Sequence, residues 1–311
     1  MRDERIACVI VSFQPHLKSL LNNVQALNEQ VDLVILVDNG SNNQSHLVES
    51  LKKINSLRLS LRCLTENLGV GTAQNHGIAI AKERGYDYVL LLDQDTYPDE
   101  NMVDNLYDAV LQLKSSGEID TLAAVGSRYY NSNGSESFFV QFGWFKFMRN
   151  YCIGCEHGIL PADFLISSGS LIPMNAIEKI GPMDEKLFID HVDTEWFLRA
   201  KSLGFNAYGV CSAVMKHGLG ENTRKVKMFG LMRERNVPQH KPFRYYYMFR
   251  NSIALYRRKN ISRKWKWNDS QRLLQIAVFY GIFFGPRWQN LKMMIKGIYD
   301  GLRNNMGKLS E

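Results

Sequence analysis

The sequence is short of several things that would decide its class at once. No stretch of about 18 consecutive apolar residues occurs, so no membrane-spanning helix is expected. The longest near-continuous apolar run, Leu273 to Phe284, is shorter and is interrupted by Gln275. The N-terminus opens on charges of both signs. Its first apolar run passes into polar residues with no small-residue cleavage site, so no signal peptide and a cytoplasmic location are expected. No Gly-x-x-x-x-Gly-Lys-Ser/Thr segment exists, which excludes a P-loop. Gly69 and Gly71 lack the third glycine of a dinucleotide fingerprint, because Gln74 stands in its place. Internal repeats and low-complexity tracts are absent. The 5 cysteines are an odd number in a large chain, which fits reduced thiols in a reducing compartment. Cys152 and Cys155 form one C-x-x-C. No second ligand pair stands at zinc spacing, and a thioredoxin-like motif would follow a first strand rather than sit mid-chain.

What is present points to a folded protein. Apolar residues make up 45% of 311, charged residues 22% and aromatics 11%, which excludes disordered and fibrous classes. The length suits two domains, or one large α/β domain with an appendage. Charge divides the chain the same way. Residues 221–311 hold 20 Lys and Arg against 5 Asp and Glu, whereas residues 1–220 hold 18 against 26. A basic segment of this kind suits an anionic membrane surface, a phosphorylated lipid or nucleic acid, or is a solvated basic face.

Patterning predicts alternating strands and helices. Ile6 to Ser12, Leu33 to Val37, Leu57 to Leu64 and Tyr88 to Leu92 read as strands. Leu17 to Leu27, Leu47 to Ile54 and Thr72 to Arg84 read as the helices between them. Such βαβ order implies a mostly parallel sheet flanked by helices, with ligands bound beyond the carboxyl ends of the strands. Leu122 to Ser127 is a further strand, and residues 130–160 read as an irregular excursion. Phe164 to Pro173 reads as a strand pair, or as one strand with a Ser-Ser-Gly break. Asn175 to Ile180 and Asp193 to Gly204 are helical, and Ala207 to Lys216 reads as the last strand, ending at His217. Basic, aromatic, helix-prone segments follow.

Three places carry chemistry. Asp93-Gln94-Asp95 closes an apolar strand, and two carboxylates so placed can hold a hard divalent cation together with a diphosphate. The alternative is an acidic turn or helix cap before Thr96-Tyr97-Pro98-Asp99. Asp190-His191-Val192-Asp193-Thr194-Glu195 crowds three acids around a helix start, where one can serve as general base or all can simply favour the helix dipole. His217, at a strand end, can complete a cation's ligand shell or be structural.

The ordered set VIVSF, VDNGS, ENLGVGTAQNHGI, LLLDQD, SSGSLIP, GPMDEKLFIDHVDTEWFLRAKSLGF and VMKHGLG resembles glycosyltransferase family 2, with its GT-A fold. Within that family the chain is most similar to the bacterial rhamnosyltransferases of O-antigen and other cell-surface polysaccharides. DQD, FIDHVDTEW and YYYMFRN carry that narrower likeness, and the whole resemblance spans about residues 5–260. It implies a GT-A-like domain over residues 1–220, with the nucleotide-sugar half at about 1–100 and the acceptor half at about 101–220. Residues 221–311 then form a basic helical C-terminal extension.

The resemblance also implies roles. Ser12 and Phe13 border the nucleobase, and Asp38 hydrogen-bonds its pyrimidine edge. Asn67, Gly69 and Asn75 shape the donor pocket. Asp93 faces the ribose and sugar, and Asp95 with His217 binds the cation, Mg²⁺ or Mn²⁺, that carries the diphosphate. Arg250-Asn251 reaches the diphosphate or the acceptor. Asp193 is the catalytic base. Val192 stands where the family's usual glutamate precedes that aspartate, which leaves Asp190 and Glu195 as reserve acids.

The implied reaction is metal-dependent inverting transfer of L-rhamnose from dTDP-L-rhamnose to a hydroxyl of a polyprenyl-diphosphate-linked glycan. Another nucleotide-sugar donor (a hexose, hexosamine or galactofuranose on UDP) is the alternative within the family. A nucleotide-sugar pyrophosphorylase is disfavoured, since VIVSFQPHLK replaces its Gly-rich basic loop. A nucleic-acid binder would leave the strand-end carboxylates unexplained, so no nucleic-acid partner is expected. Trp265-Lys266-Trp267, the Leu273 to Phe284 run, Trp288 and Lys292 suit contact with an anionic membrane at the inner face. The other occupants of those helices are the catalytic domain itself or a second copy in a homo-oligomer.

Overall fold

The computed structural model describes residues 2–52, 58–131, 137–144, 146–217, 223–227, 234–238 and 240–309. The chain runs β1 (Ile6–Ser12), α1 (Leu17–Asn28), β2 (Leu33–Asp38), α2 (Gln44–Lys52), β3 (Leu59–Cys63), α3 (Val70–Glu83) and β4 (Tyr88–Asp93). There follow β5 (Thr96–Pro98), α4 (Met102–Ser115), β6 (Leu122–Asn131), β7 (Phe139–Phe142), β8 (Phe147–Asn150), β9 (Ile159–Ala162), β10 (Ser170–Pro173), α5 (Met174–Ile180), α6 (Val192–Ser202) and β11 (Asn206–His217). The last elements are β12 (Thr223–Lys227), β13 (Glu234–Pro238), α7 (Pro242–Tyr256), α8 (Arg263–Val278), a π-helical turn at Phe279–Phe283, and α9 (Arg287–Arg303).

The apolar runs become strands buried on both faces, and their side chains sort by parity because successive residues point to opposite sides. Ala7, Val9, Ile35, Val37, Val89 and Leu91 face one core with α3, α5 and α6. Ile6, Cys8, Ile10, Val34, Leu36, Leu90 and Leu92 face the other with α1, α2 and α4. Gly77 lets α3 lie against β1, since a Cβ there would stand 2.3 Å from Val9 Cγ1.

Among the described residues the main sheet has the order β3-β2-β1-β4-β10-β6-β11-β5, with β9 on β11. The β3-β2-β1-β4 half is parallel, as expected of βαβ units. Beyond it β10 is antiparallel to both neighbours, and β6 and β11 pair in parallel. Registers Ser12↔Asp38 and Val11↔Asp93 put the ends of β1, β2 and β4 level on one edge.

Several short elements depart from the sequence reading. Gln94-Asp95 is a turn, and Thr96-Tyr97-Pro98 after it is a strand that pairs with the end of β11, Thr96 opposite His217. Residues 130–160 contain the β7–β8 hairpin and β9. Only Ser170–Pro173 of the Phe164 to Pro173 segment is a strand, and β11 is followed by the β12–β13 hairpin. Such strands are too short to show a period, and long-range pairing creates them. The cysteines differ too. Cys152 is bonded to Cys211 of β11, while Cys8, Cys63 and Cys155 remain thiols, so the expectation of five reduced thiols does not hold. The C-x-x-C turn, closed by Cys155 N–H on Cys152 O, presents its first sulfur to β11.

The C-terminal helices fold back on the sheet domain. α7 and α9 approach closely because Gly297 and Gly301 face α7; a Cβ at either would meet Tyr246 O at 2.4 Å or Arg250 O at 2.6 Å. Tyr246 Oη donates to buried Asp300 at 2.8 Å. Beyond α9, Gly307 N–H donates to Lys186 O and Leu309 N–H to Tyr247 Oη. Among the described residues no helix is long and apolar enough to cross a membrane.

Candidate active site

The level ends of β1, β2 and β4 gather polar groups on one edge. Asp38 is fully buried. Its Oδ1 accepts from Ser12 Oγ at 3.1 Å and Ser41 Oγ at 2.6 Å, and its Oδ2 from Ser41 N–H at 2.9 Å and Gln44 Nε2 at 2.7 Å. Both oxygens thus accept hydrogen bonds within the chain, which fixes the loop after β2. Ser12 is likewise buried against Asp38. Phe13 is exposed beside them, and Gln94 clamps it by accepting from Phe13 N–H at 2.8 Å and donating to Phe13 O at 3.3 Å.

Asn67 Oδ1 accepts from Asn39 Nδ2 at 3.1 Å and from Gly69 N–H at 3.0 Å, which fixes the loop entering α3. Gly69 has φ +94°, and a Cβ there would lie 2.6 Å from Phe188 O, so only glycine suits that close approach. The Asn75 amide brackets Met183, giving to the carbonyl at 3.0 Å and taking from the N–H at 2.9 Å, and also reaches Glu185. These bonds tie α3 to the segment before the acidic loop.

Asp93, Gln94 and Asp95 stand half-buried where β4 leaves the sheet. Asp93 N–H donates to Ser168 Oγ at 3.1 Å, and Ser168 Oγ shares a 2.6 Å bond with Thr96 Oγ1. The neighbouring Ser167 N–H faces the Asp193 carboxylate. Ser167 and Ser168, adjacent in sequence, thus touch Asp193 and the Asp93 backbone respectively. The His217 backbone joins this edge through Thr96, but its side chain lies outside the described residues.

Asp193 opens α6 and accepts from Thr194 N–H at 2.7 Å. Burial and the nearby Asp190 charge push its carboxyl above the usual range, against the opposing pull of the Thr194 and Ser167 N–H groups. A raised carboxyl in a site of this kind suits a general base. The reserve acids are committed elsewhere. Glu195 is buried and held by Arg199 at 3.1 and 2.9 Å and by Arg258 at 3.0 Å. Asp190 is paired with Arg244 at 3.3 Å.

The acidic loop is held in an unusual shape. Phe188, Asp190 and His191 all have φ between 62° and 64°, a left-handed conformation that costs non-glycine residues energy unless the surroundings hold it. The C-terminal extension supplies the hold. Asn251 Nδ2 faces the carbonyls of Leu187, Ile189 and Asp190 at 3.0, 2.8 and 2.8 Å. Arg250 is fully buried, stacks over Tyr247 at 4.7 Å, and donates to Leu187 O at 2.9 Å, to Lys186 O, to Gly307 O and to Asn251 Oδ1. Its Nη2 thus braces the loop, while Nε and Nη1 are engaged by Asn251 and Gly307. His191 Nε2 lies 3.0 Å from Arg272 Nη2, and since a guanidinium only donates, that nitrogen accepts. Burial lowers the His191 pKa further, so the ring is neutral. Sequence reasoning gave Gln94 no role of its own within DQD, and missed Arg244 and Arg272, because nothing in their spacing marks them.

A cation site can be judged from the donor set alone. Asp93 and Asp95 offer the hard carboxylate oxygens that Mg²⁺ and Mn²⁺ prefer. Among the described residues no group of three His, Cys, Asp or Glu could hold a metal. The residues fit a cation shared with a ligand's phosphates rather than a closed protein cage.

Comparison with known proteins agrees with this arrangement. The chain matches the family model described as Glycosyl transferase family 2 over residues 8–170. It is 32% identical over 267 residues to the dTDP-rhamnosyl transferase RfbF of Shigella flexneri, covering 83% of this chain and 82% of that one. A poly-beta-1,6-N-acetyl-D-glucosamine synthase of Staphylococcus aureus is 36% identical over 86 residues, 27% of this chain and 20% of the synthase. The fold is similar to S. aureus TarS 1-349 in complex with UDP-GlcNAc, with TM-score 0.58 at 14% identity over 96% of this chain and 81% of that one. It is also similar to GalNAc-T7 with UDP, GalNAc and Mn²⁺, with TM-score 0.57 at 14% identity over 70% of this chain and 44% of that one. With a parallel nucleotide-type half-sheet, level strand-end acids and these likenesses together, the chain belongs to glycosyltransferase family 2, has a GT-A-like fold and is a glycosyltransferase.

Proposed function

We propose that the protein transfers L-rhamnose from dTDP-L-rhamnose, with inversion, to a hydroxyl of a lipid-linked glycan in cell-surface polysaccharide synthesis. The likeness to a dTDP-rhamnosyl transferase along most of both chains carries this reading. In it, residues 1–100 receive the nucleotide sugar at the edge formed by Phe13, Asn67 and Asp93. Asp193 takes the proton of the acceptor hydroxyl as that oxygen bonds the anomeric carbon. The bond to the diphosphate breaks on the opposite face, its electron pair leaves with dTDP, and a β-linked donor yields an α-L-rhamnoside. Asp93 and Asp95 would hold Mg²⁺ or Mn²⁺ against the diphosphate, where a divalent cation neutralises the leaving group's growing charge.

Thermal stability against dTDP, UDP, GDP and CMP, each with manganese or EDTA, tests the donor. A ligand at a hundred times its dissociation constant stabilises by about 2.7 kcal/mol, so a manganese-dependent shift with dTDP alone is the expected outcome. A shift with UDP instead would keep the family and discard rhamnose. Asp95→Ala should remove the manganese-dependent part of that shift; if it persists in full, the cation is held elsewhere.

The reading extends to a membrane. Trp267, Leu274, Ile282, Phe283, Trp288 and Ile295 are exposed along α8, the π-helical turn and α9, with Trp288 at 85%. Lys264, Arg287 and Lys292 lie on the same elements. Apolar faces bordered by cations suit an anionic lipid surface, each cation adding about 1 kcal/mol. Phe283→Glu with Trp288→Glu should abolish flotation with phosphatidylglycerol vesicles, and unchanged flotation would rule out this face as the anchor.

A further inference from the structure

An open cleft of about 810 Å³ lies between the β7–β8 hairpin and α8, away from the strand ends. Lys146 and Arg149 of the hairpin form one wall, and Asn268, Gln271, Arg272 and Gln275 of α8 the other. The two walls are fastened together: buried Asn268 donates from Nδ2 to Gly143 O at the hairpin turn, at 2.9 Å. The volume falls in the about 300–1,000 Å³ range of small-ligand sites, room for a short saccharide.

The lining has a definite chemistry. The side-chain amides of Gln271 and Gln275 offer paired donors and acceptors, which suit vicinal hydroxyls. Lys146 and Arg149 are exposed, and suit an anionic group next to them. Arg272 belongs to the cleft and to the catalytic loop at once. Its Nη2 reaches His191, two residues before Asp193, while its Nε is held by Asp269 Oδ1 at 2.8 Å. His191 and Trp265 of α8 are also in edge contact. Contacts therefore run without a gap from the β4 acids through Ser168 and Ser167 to Asp193, then through His191 to Arg272 and the cleft. Through Arg272 and His191 the cleft thus touches the loop that carries Asp193.

We propose that this cleft is the acceptor subsite, taking the terminal saccharide of a glycosyl diphosphate, with its phosphates at Lys146 and Arg149. The inference rests on the transferase reading above and adds where the acceptor lies and what binds it. Arg272 is in this view a positioning residue, through which an occupied cleft contacts the loop bearing the base.

The test uses the full chain, dTDP-rhamnose and a set of synthetic acceptors: N-acetylglucosaminyl, galactosyl and rhamnosyl diphosphates on a short alkyl chain. Gln275→Trp fills the cleft and Arg149→Ala removes a cation from its mouth. Each should raise the acceptor KM about tenfold or more while the dTDP dissociation constant stays within about twofold of the parent's. Arg149→Lys should recover most of the loss. An acceptor KM unchanged in both Gln275→Trp and Arg149→Ala overturns the subsite and leaves the transferase reading intact. A parent protein that neither binds dTDP nor transfers rhamnose overturns that reading, and the subsite with it.

Discussion

Asp193→Asn is expected to lower kcat by about a hundredfold to ten-thousandfold, the range set by losing a general base, with dTDP affinity retained. The amide keeps an acceptor for Thr194 N–H but cannot take a proton. The pH profile gives an independent check. The Asp193 carboxyl is raised by burial and by Asp190, so the acidic limb of kcat/KM should lie above the pH at which an ordinary aspartate titrates, about 4. The sign for stability runs the other way from that of a salt-bridged acid. A raised folded-state pKa means that the charged form is the disfavoured one, so at neutral pH this group detracts from stability, and the penalty fades as pH falls through the folded pKa. The amide variant should therefore be at least as stable as the parent. Near-parental turnover would remove Asp193 as the base.

Arg250→Ala should have the largest effect on folding. The substitution strips donors from the carbonyls of Lys186, Leu187 and Gly307 and removes a ring contact with Tyr247, all inside the molecule. Breaking a buried charged network costs about 3–5 kcal/mol. The melting temperature should fall by several degrees, and kcat should fall with it, since the base loop loses its backing. Arg250→Lys separates this brace from a phosphate contact. Lysine keeps the charge but cannot satisfy the same carbonyls, so it too should be less stable than the parent. If Arg250→Lys keeps full stability and weakens only dTDP binding, the residue is a phosphate ligand and the brace is wrong.

These two residues also show what a sequence can and cannot disclose here. Unbroken apolar runs locate β1, β2 and β4, because strands buried on both faces must be apolar throughout. Their polar ends then locate Asp38 and Asp93. Whether such a group faces a ligand or its own chain depends on burial, which type and spacing do not encode. Asp38, Asn75, Glu195 and Arg250 are all chemically able residues whose hydrogen-bonding groups are engaged within the chain. β5 and the β7–β8 hairpin escape for another reason: three or four residues carry no period, and pairing at a distance defines them. Arg272 is hidden most deeply. In sequence it is one more cation in a basic helix, and its contact with His191 arises only in the folded chain.

The bracing of the acidic loop by residues far downstream has a consequence for how the enzyme is made. At about 5–20 residues per second, a ribosome releases the sheet domain seconds before Arg250, Asn251 and Gly307 emerge. During that interval the strands can pair and both cores can close, but the carbonyls of Leu187 and Asp190 have not met their donors. The nascent sheet is thus complete before the loop bearing Asp193 is held. The loop that carries Asp193 takes its held shape only when α7 and the segment beyond α9 have docked.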